Sequence, residues 1–379
     1  MEKIKVGVAG VGFIGAVHIE QLRRLPMVEV VAVADPFDAT EKARRLGVQK
    51  AYDSTFEMLE KEPLDAIHLC TPNNLHFEEA LMAFTKGVHV ICEKPLTTSL
   101  ENAKRMSDAA KKAGLIHAVN FNYRFYPLAY EMRQRRLSGE LGEVYSVHGS
   151  YLQDWLFLKT DYSWRLESDI SGRSRAFADI GSHWADLVSF VTGLKPVEVM
   201  ADFATFHKTR SKPLKPVDTY SNMMLTPEDY EEIPIDTEDY AAVLFRLENG
   251  GRASCVISQM FAGKKNEMRV LIAGSKSSMI WDSADSNELW VGRRDAPNEV
   301  YEKDPSILAV PTRRLSSYPG GHVEGFADSM KQHFALIYEA IASGTTGEHE
   351  YADFDDGLME VSLCDKIIES AKTRSWIAL

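Results

Sequence analysis

Ile4-Lys5-Val6-Gly7-Val8-Ala9-Gly10-Val11-Gly12-Phe13-Ile14-Gly15 is a short apolar run that breaks into glycines spaced G-x-G-x-x-G. The run reads as a buried strand, and a helix pattern follows from about Ile14 to Leu25. Each glycine has a mechanical reason. Gly10 allows a tight turn, Gly12 lets backbone approach a pyrophosphate, and Gly15 lets the helix pack closely on the strand. The helix N-terminus supplies free N–H groups and a partial positive charge for the phosphates. A second strand, Val28 to Ala34, ends at Asp35, 20 residues after Gly15. A dinucleotide-binding fold places there the acid that binds the adenosine ribose hydroxyls. That carboxylate would repel a 2′-phosphate, and Pro36-Phe37 offer no basic group to attract one. NAD is therefore expected over NADP, with Arg44 and Arg45 on the next helix as the residues that weaken this preference.

The alternation continues. Ala66 to Cys70 is a strand closed by Thr71-Pro72-Asn73-Asn74, and a helix runs from about His76 to Lys86. The next strand, His89 to Cys92, runs into Glu93-Lys94-Pro95-Leu96. Ligands of an open parallel sheet bind outside the carboxyl ends of its strands, so a lysine delivered there is placed to meet a substrate. By themselves these residues also describe a strand end followed by a solvated turn. Thr98-Ser99-Leu100-Glu101 has capping-box spacing for a helix to about Ala113, and Ile116 to Asn120 is another strand. Strands alternating with helices in this way form a doubly wound parallel sheet. An α/β Rossmann domain over residues 1–122 is expected, followed by a second domain over 123–379.

Composition agrees with two domains. The chain has 379 residues, 45% hydrophobic and 26% charged, which suits a globular protein too long for one ordinary core. A formal net charge of −12 argues against nucleic acid as a partner, since phosphates are held by clustered Lys and Arg. No window reaches the ~18 apolar residues of a membrane helix. Met1-Glu2-Lys3 runs into a strand without an apolar leader. Cys70, Cys92, Cys255 and Cys364 form no Cys-x-x-Cys pair, so no structural metal site is expected and a cytoplasmic protein with reduced thiols is.

The second half changes character. After a helix at about Leu128 to Leu137, strands are expected at Val144 to Leu152, Val197 to Phe206, Tyr240 to Leu247, Arg252 to Gln259, Met268 to Ala273 and Ser278 to Trp281. This is an α+β domain with a mostly antiparallel open sheet. Helices at about Asp179 to Val191, Val323 to Ala342 and Asp355 to Lys372 should cover one face. Lys208 to Glu238, polar and proline-bearing, reads as a surface excursion.

Two clusters in this half carry chemistry. Asp179 and His183 are four apart, which places them on one face of a helix. With Asp179 as N-cap, its carboxylate would orient an imidazole able to take a proton from an alcohol. A capping acid beside a half-buried structural histidine is the plainer alternative. Tyr151-Leu152-Gln153-Asp154-Trp155 and Ser163-Trp164-Arg165 offer indoles and polar groups suited to a sugar, or indoles that simply close the core. His322, in Gly320-Gly321-His322, sits on a flexible loop able to reach such a site.

The ordered set Gly10-x-Gly12-x-x-Gly15, Asp35, Thr71-Pro72-Asn73-x-x-His76, Glu93-Lys94-Pro95, Asn122-Tyr123-Arg124 and Asp179-x-x-x-His183 resembles the glucose–fructose oxidoreductase / inositol dehydrogenase (Gfo/Idh/MocA) family, over essentially the whole chain. The segments around Trp155 and Trp164 look like its sugar and anhydrosugar dehydrogenase branch. The resemblance implies oxidation of a secondary hydroxyl of a sugar, glycoside or cyclic polyol, with hydride passing to NAD. Cofactor contacts then fall to Gly10, Gly12, Phe13, Ile14, Gly15, Asp35, Thr71, Pro72, Asn73, His76, Glu93, Lys94 and Asn122. Substrate contacts fall to Lys94, Tyr123, Arg124, Gln153, Asp154, Trp155, Trp164, Arg165, Asp179, His183 and His322. Lys94, Asp179 and His183 are the catalytic set, and both Lys94 and His183 remain candidates for the base. The resemblance also implies a cis Lys94–Pro95 bond and a homodimer or homotetramer built on the open sheet. Arg173 and Arg175 depart from the glycine-rich approach of many members; two guanidiniums there favour an acidic substrate or pair with surface acids. Relatives that are NAD-dependent glycosidases, or NAD-binding regulators without turnover, define the other function classes.

Overall fold

The structure, a computed structural model, describes residues 2–214 and 227–379. The first half alternates as its sequence does. Strand β1 (Ile4–Ala9) leads to helix α1 (Phe13–Leu22), β2 (Val28–Ala34), α2 (Ala39–Leu46) and β3 (Lys50–Tyr52). Then come α3 (Thr55–Lys61), β4 (Ala66–Leu69), α4 (His76–Thr85), β5 (His89–Cys92), α5 (Leu100–Ala113) and β6 (His117–Val119). The strands form one sheet in the order β3-β2-β1-β4-β5-β6, parallel throughout. Val6 and Val8 of β1, Ile67 and Leu69 of β4 and Val90 and Ile91 of β5 are wholly buried, as expected where helices cover both faces. Helix α5 starts one residue later than a Thr98–Glu101 capping box requires. Ser99 is the cap, and its hydroxyl accepts from Asn102 N; the shift brings the better-placed serine to the helix end.

The second half opens with a 3₁₀ turn (Asn122–Phe125), α6 (Pro127–Leu137), β7 (Val144–Leu152) and the short α7 (Ser168–Ser171). A π-helical turn, Phe177–Gly181, runs directly into α8 (Ser182–Thr192). Strands β8 (Pro196–Ala204), β9 (Thr209–Pro213), β10 (Tyr230–Pro234), β11 (Tyr240–Leu247), β12 (Arg252–Ser258) and β13 (Glu267–Gly274) follow. The chain continues with β14 (Ser278–Asp282), β15 (Glu288–Gly292), β16 (Glu299–Glu302), α9 (Val310–Arg313), α10 (Phe326–Ser343), α11 (Phe354–Thr373) and β17 (Ile377–Ala378). The large sheet runs β16-β15-β14-β13-β7-β12-β11-β8-β17. Its pairs are antiparallel except β7 with β12. Along β11, Ala241, Val243, Phe245 and Leu247 are buried while Leu244 is 48% exposed, so one face is packed and the other open.

Two expectations change here. Helix α10 does not cover the large sheet: Phe334, Ile337 and Tyr338 pack with Val6, Val8 and Ile91 in the core of the first. Helix α11 bridges both, with Val361 in the first sheet's core and Leu363 and Ile367 in the second's. Apolar residues around the circumference of a helix let it serve two cores at once. The segment Lys208–Glu238 is not simply a surface excursion. Strands β9 and β10 pair within it, and Arg210, Thr237 and Glu238 are buried; residues 215–226 lie outside the described residues. Among the described residues, no helix is long and apolar enough to cross a membrane.

Candidate active site

The carboxyl ends of β1, β4 and β5 lie side by side, and each delivers a motif. After β1, Gly10 takes a left-handed φ of +78°, and a Cβ there would stand 2.5 Å from Cys70 O. At Gly12 a Cβ would meet nothing within 4 Å. Helix α1 has no side-chain cap and no acid in its first turn, so the partial positive charge of its N-terminus is not countered there and suits an anion. Asp35 ends β2, and its Oδ2 accepts from Val11 N at 2.8 Å, which ties the acid to the glycine loop. The residues present therefore fit a dinucleotide. Lys42, which the sequence reading passed over, donates to Asp35 Oδ1 at 2.8 Å. A basic group does face this acid, two and three residues earlier in α2 than Arg44 and Arg45.

The Thr71–His76 segment is a brace. Thr71 Oγ1 donates to Glu79, Asn73 Nδ2 reaches Ser171 O at 2.9 Å, and His76 lies between the carbonyls of Thr71 and Pro95. It fixes the turn after β4 against the Lys94–Pro95 bond, which is cis. Glu93 points inward, where His18 Nε2 and Asn120 Nδ2 meet its Oε1. Burial raises its pKa, but the His18 contact and Lys94 outweigh this and hold it at about 2. Asn122 is likewise buried, donating to Ser329 Oγ.

Lys94 reaches across to the second half. Its Nζ donates to Asp179 Oδ1 at 2.8 Å and to Asp179 O at 2.6 Å. The π turn explains the second bond. There Ser182 N reaches back five residues to Phe177 O, and such a turn loosens the ordinary i→i−4 ladder, often at functional sites. Arg165 Nε donates to the same Oδ1 at 3.1 Å, and Gln259 Nε2 to Oδ2 at 2.9 Å. Burial would raise the Asp179 pKa, yet Lys94 and then Arg165 hold it well below the usual carboxylate range.

Asp179 is thus neither an N-cap nor hydrogen-bonded to His183, contrary to the i,i+4 expectation. The extra residue of the π turn takes the two side chains out of stack. Aromatic rings orient His183 instead: Phe121 at 5.6 Å edge-on and Tyr123 at 5.1 Å. Its Nδ1 is buried without a hydrogen-bond partner among the described residues. Burial, then Lys94, lowers the imidazole pKa to about 3, so the ring is neutral near pH 7. A neutral imidazole beside a lysine anchored to a carboxylate can accept a proton from an alcohol while the ammonium stabilises the oxygen.

The remaining candidates divide. Arg165 joins the cluster and stacks on Trp164 at 4.5 Å. Tyr123 contacts Tyr151 at 2.6 Å between hydroxyls; Tyr151 and Gln153 both donate to Asn266 Oδ1. Trp155 is 36% exposed. Arg124 is spent elsewhere: Asp186 and Asp356 take its guanidinium, because a buried cation needs acids around it. Asp154 is held by Lys265 and Gly263 N. His322 is exposed and touches Gly320 O two residues back. Arg173 pairs with Asp365 and Arg175 with Asp239, so neither guanidinium is free for an anionic substrate. Gln259 and Asn266 join the site with no sequence signal beyond the ends of their strands, whereas Tyr151 belongs to the cluster that the sequence marks with Trp155.

Comparison with known proteins agrees with this arrangement. The oxidoreductase family model with NAD-binding Rossmann fold, GFO_IDH_MocA, matches residues 4–121, and the GFO/IDH/MocA C-terminal domain model matches 130–280. Levoglucosan dehydrogenase of Pseudarthrobacter phenanthrenivorans is 27% identical over 399 aligned residues, covering 100% of this chain and 98% of that protein. Glucose-6-phosphate 3-dehydrogenase of Bacillus subtilis is 27% identical over 370 residues, covering 96% and 95%. A solved levoglucosan dehydrogenase in complex with NADH and L-sorbose superposes with a TM-score of 0.88 at 27% identity, over 100% of this chain and 99% of that one. With both family models matched in chain order and the glycine loop and Asp35 placed for the dinucleotide, the chain belongs to the GFO/IDH/MocA oxidoreductase family and is an NAD-dependent dehydrogenase.

Proposed function

We propose that the protein oxidises a secondary hydroxyl of a sugar, glycoside or cyclic polyol. The observation that carries this is the convergence of Lys94 Nζ, Asp179 and a neutral His183 at the carboxyl edge of the parallel sheet. His183 takes the hydroxyl proton. Lys94 spends two of the three N–H donors of an ammonium on Asp179, and the third meets the substrate oxygen. The bound cofactor's nicotinamide supplies the hydride acceptor. Trp155, Trp164 and Arg165 would hold the ring of the substrate, and the levoglucosan and glucose-6-phosphate specificities of the relatives support a carbohydrate. Following NADH absorbance with inositols, hexoses, levoglucosan, glycosides and uronates tests the reading; absence of NADH formation with all of them would overturn it. Release of an aryl leaving group without NADH accumulation would assign the glycosidase chemistry instead.

Asp35 sets the cofactor preference in this reading. The intact protein should bind NAD more tightly than NADP. In Asp35→Gly the kcat/KM ratio should swing toward NADP, since the repelling carboxylate is gone and Lys42 is released. Equal ratios in the variant and the parent protein would remove Asp35 from this role.

We also infer that the open face of the large sheet, where Leu244 is 48% and Val256 37% exposed, pairs with a second copy. Light scattering on the purified protein should give twice or four times the chain mass, and a monomer would refute it.

A further inference from the structure

Gln259 directly follows β12, is 1% exposed, and has a carboxamide with two partners. Arg175 Nη1 donates to its Oε1 at 2.9 Å, and its Nε2 donates to Asp179 Oδ2 at 2.9 Å. A guanidinium can only donate, so Arg175 allows the amide one orientation, with its N–H toward Asp179. Arg175 is itself immobilised: 1% exposed, it bonds Thr237 through Nε and Asp239 through Nη2. Asp239 also accepts from Arg210, whose Nη1 donates to the carbonyl of Leu158. A buried polar chain thus runs from the loop that carries Arg165 to the carboxylate that anchors Lys94.

We propose that Gln259, held by Arg175, is a positioning residue for Asp179 and through it for Lys94. The inference deepens the reaction proposed above and rests on it. Asp179 has three side-chain donors, two of them the cations Lys94 and Arg165 on Oδ1. Gln259 supplies the one on Oδ2 and so sets the rotation of the carboxylate plane. Arg175 already has Asp239 to balance its charge. Satisfying Arg175 therefore leaves the donor aimed at Asp179 unexplained. Other titratable groups around Asp179 are His183 on α8 and the Tyr151 hydroxyl on β7. Behind position 259 stand Arg175, Asp239 and Arg210, with Glu238 bonded to Arg175 N. Glu93 and Glu360 also interact with the Lys94 charge, and Glu93 with His183.

Gln259→Glu tests the proposal with little change of shape. The new carboxylate still accepts from Arg175 but presents Asp179 with an acceptor. Turnover at pH 8, on the polyol oxidised fastest in the NADH screen, should fall about 10- to 100-fold, the scale of a misplaced catalytic group, with KM for NAD unchanged. The loss should narrow toward pH 5–6 as the introduced carboxyl gains a proton and offers an O–H to Asp179. Gln259→Met, without donor or acceptor, should lose turnover at every pH without that recovery. A role limited to satisfying Arg175 predicts the reverse, with Gln259→Glu active and Gln259→Met impaired. Crystal structures of the variants give a reading independent of turnover: Asp179 Oδ2 should turn away from position 259 and Lys94 Nζ should shift. Wild-type turnover of Gln259→Glu at pH 8, or an unmoved Asp179 in whichever variant folds, would overturn the proposal. If the parent protein oxidises none of the polyols, the functional reading fails by itself and crystallography alone decides the positioning.

Discussion

Turnover of Lys94→Ala should fall by roughly 10²- to 10³-fold or more, the scale of removing one donor from a developing oxyanion, while NADH still binds. The substitution removes the ammonium at the substrate oxygen and leaves Asp179 buried with Arg165 and Gln259 as remaining donors. Breaking a buried pair costs ~3–5 kcal/mol when nothing else meets the stranded charge; two other donors place this case at the low end. The pH dependence has a definite sign. Asp179 is held below its unfolded value, so the pair's stability is fully present above about pH 4. It is lost as pH falls through the folded-state pKa. The gap in Tm between parent and variant should therefore shrink on acidification below pH 4. Burial is the larger cause of the low His183 pKa of about 3, and Lys94 the next. Without the lysine that value rises while staying below the ordinary imidazole range, so the acid limb of the residual activity moves to higher pH. Near wild-type turnover in Lys94→Ala would end the assignment of this residue to the chemistry.

Gly15→Ala should damage the cofactor site as severely, by a steric route. A Cβ at Gly15 would stand 2.0 Å from Gly10 O, and the clash is with backbone, which cannot swing aside. Either α1 lifts from β1 or the Gly10 turn moves, and both displace the amides that face the phosphates. Overpacking of this kind costs ~1–3 kcal/mol and occasionally more. A Tm lower by about 5 °C and NADH affinity reduced at least ~10-fold, or about 1.4 kcal/mol, are expected by thermal melting and NADH fluorescence titration. Gly12→Ala is the informative contrast. A Cβ at Gly12 meets nothing within 4 Å, so folding should be spared and only dinucleotide binding should suffer. Unchanged NADH affinity in both variants would remove the loop from the binding site.

Much of this molecule is written locally in its chain. Strands of consecutive valines and isoleucines, glycines at turns and helix patterns between them depend on neighbours a few residues apart. The parallel sheet, Asp35 at the end of β2 and Lys94 beyond β5 could therefore be read directly. Local spacing misled in one place. Asp179 and His183 stand four apart, but the π turn at Phe177–Gly181 separates them, and nothing in the residue types announces a π turn. Helix α10 misled for a related reason: an apolar stripe says that a helix is buried and is silent about which sheet buries it.

The polar partnerships belong to the tertiary structure. Lys94 and Asp179 are 85 residues apart, and Gln259 and Asp179 are 80. The resemblance assigns Arg124 to the substrate, and the sequence leaves Arg173 and Arg175 between an acidic substrate and pairing with acids; each meets an acid brought by another element. Burying a charge is costly unless a partner compensates it, so packing selects each pairing from groups that the chain order keeps apart. The sequence alone determined the family, the dinucleotide fold and the residue types available for chemistry. Only the packed molecule decided that Asp179 serves Lys94 while aromatic rings hold His183, because side-chain hydrogen bonds form across space at about 3 Å and leave no periodic trace along the chain.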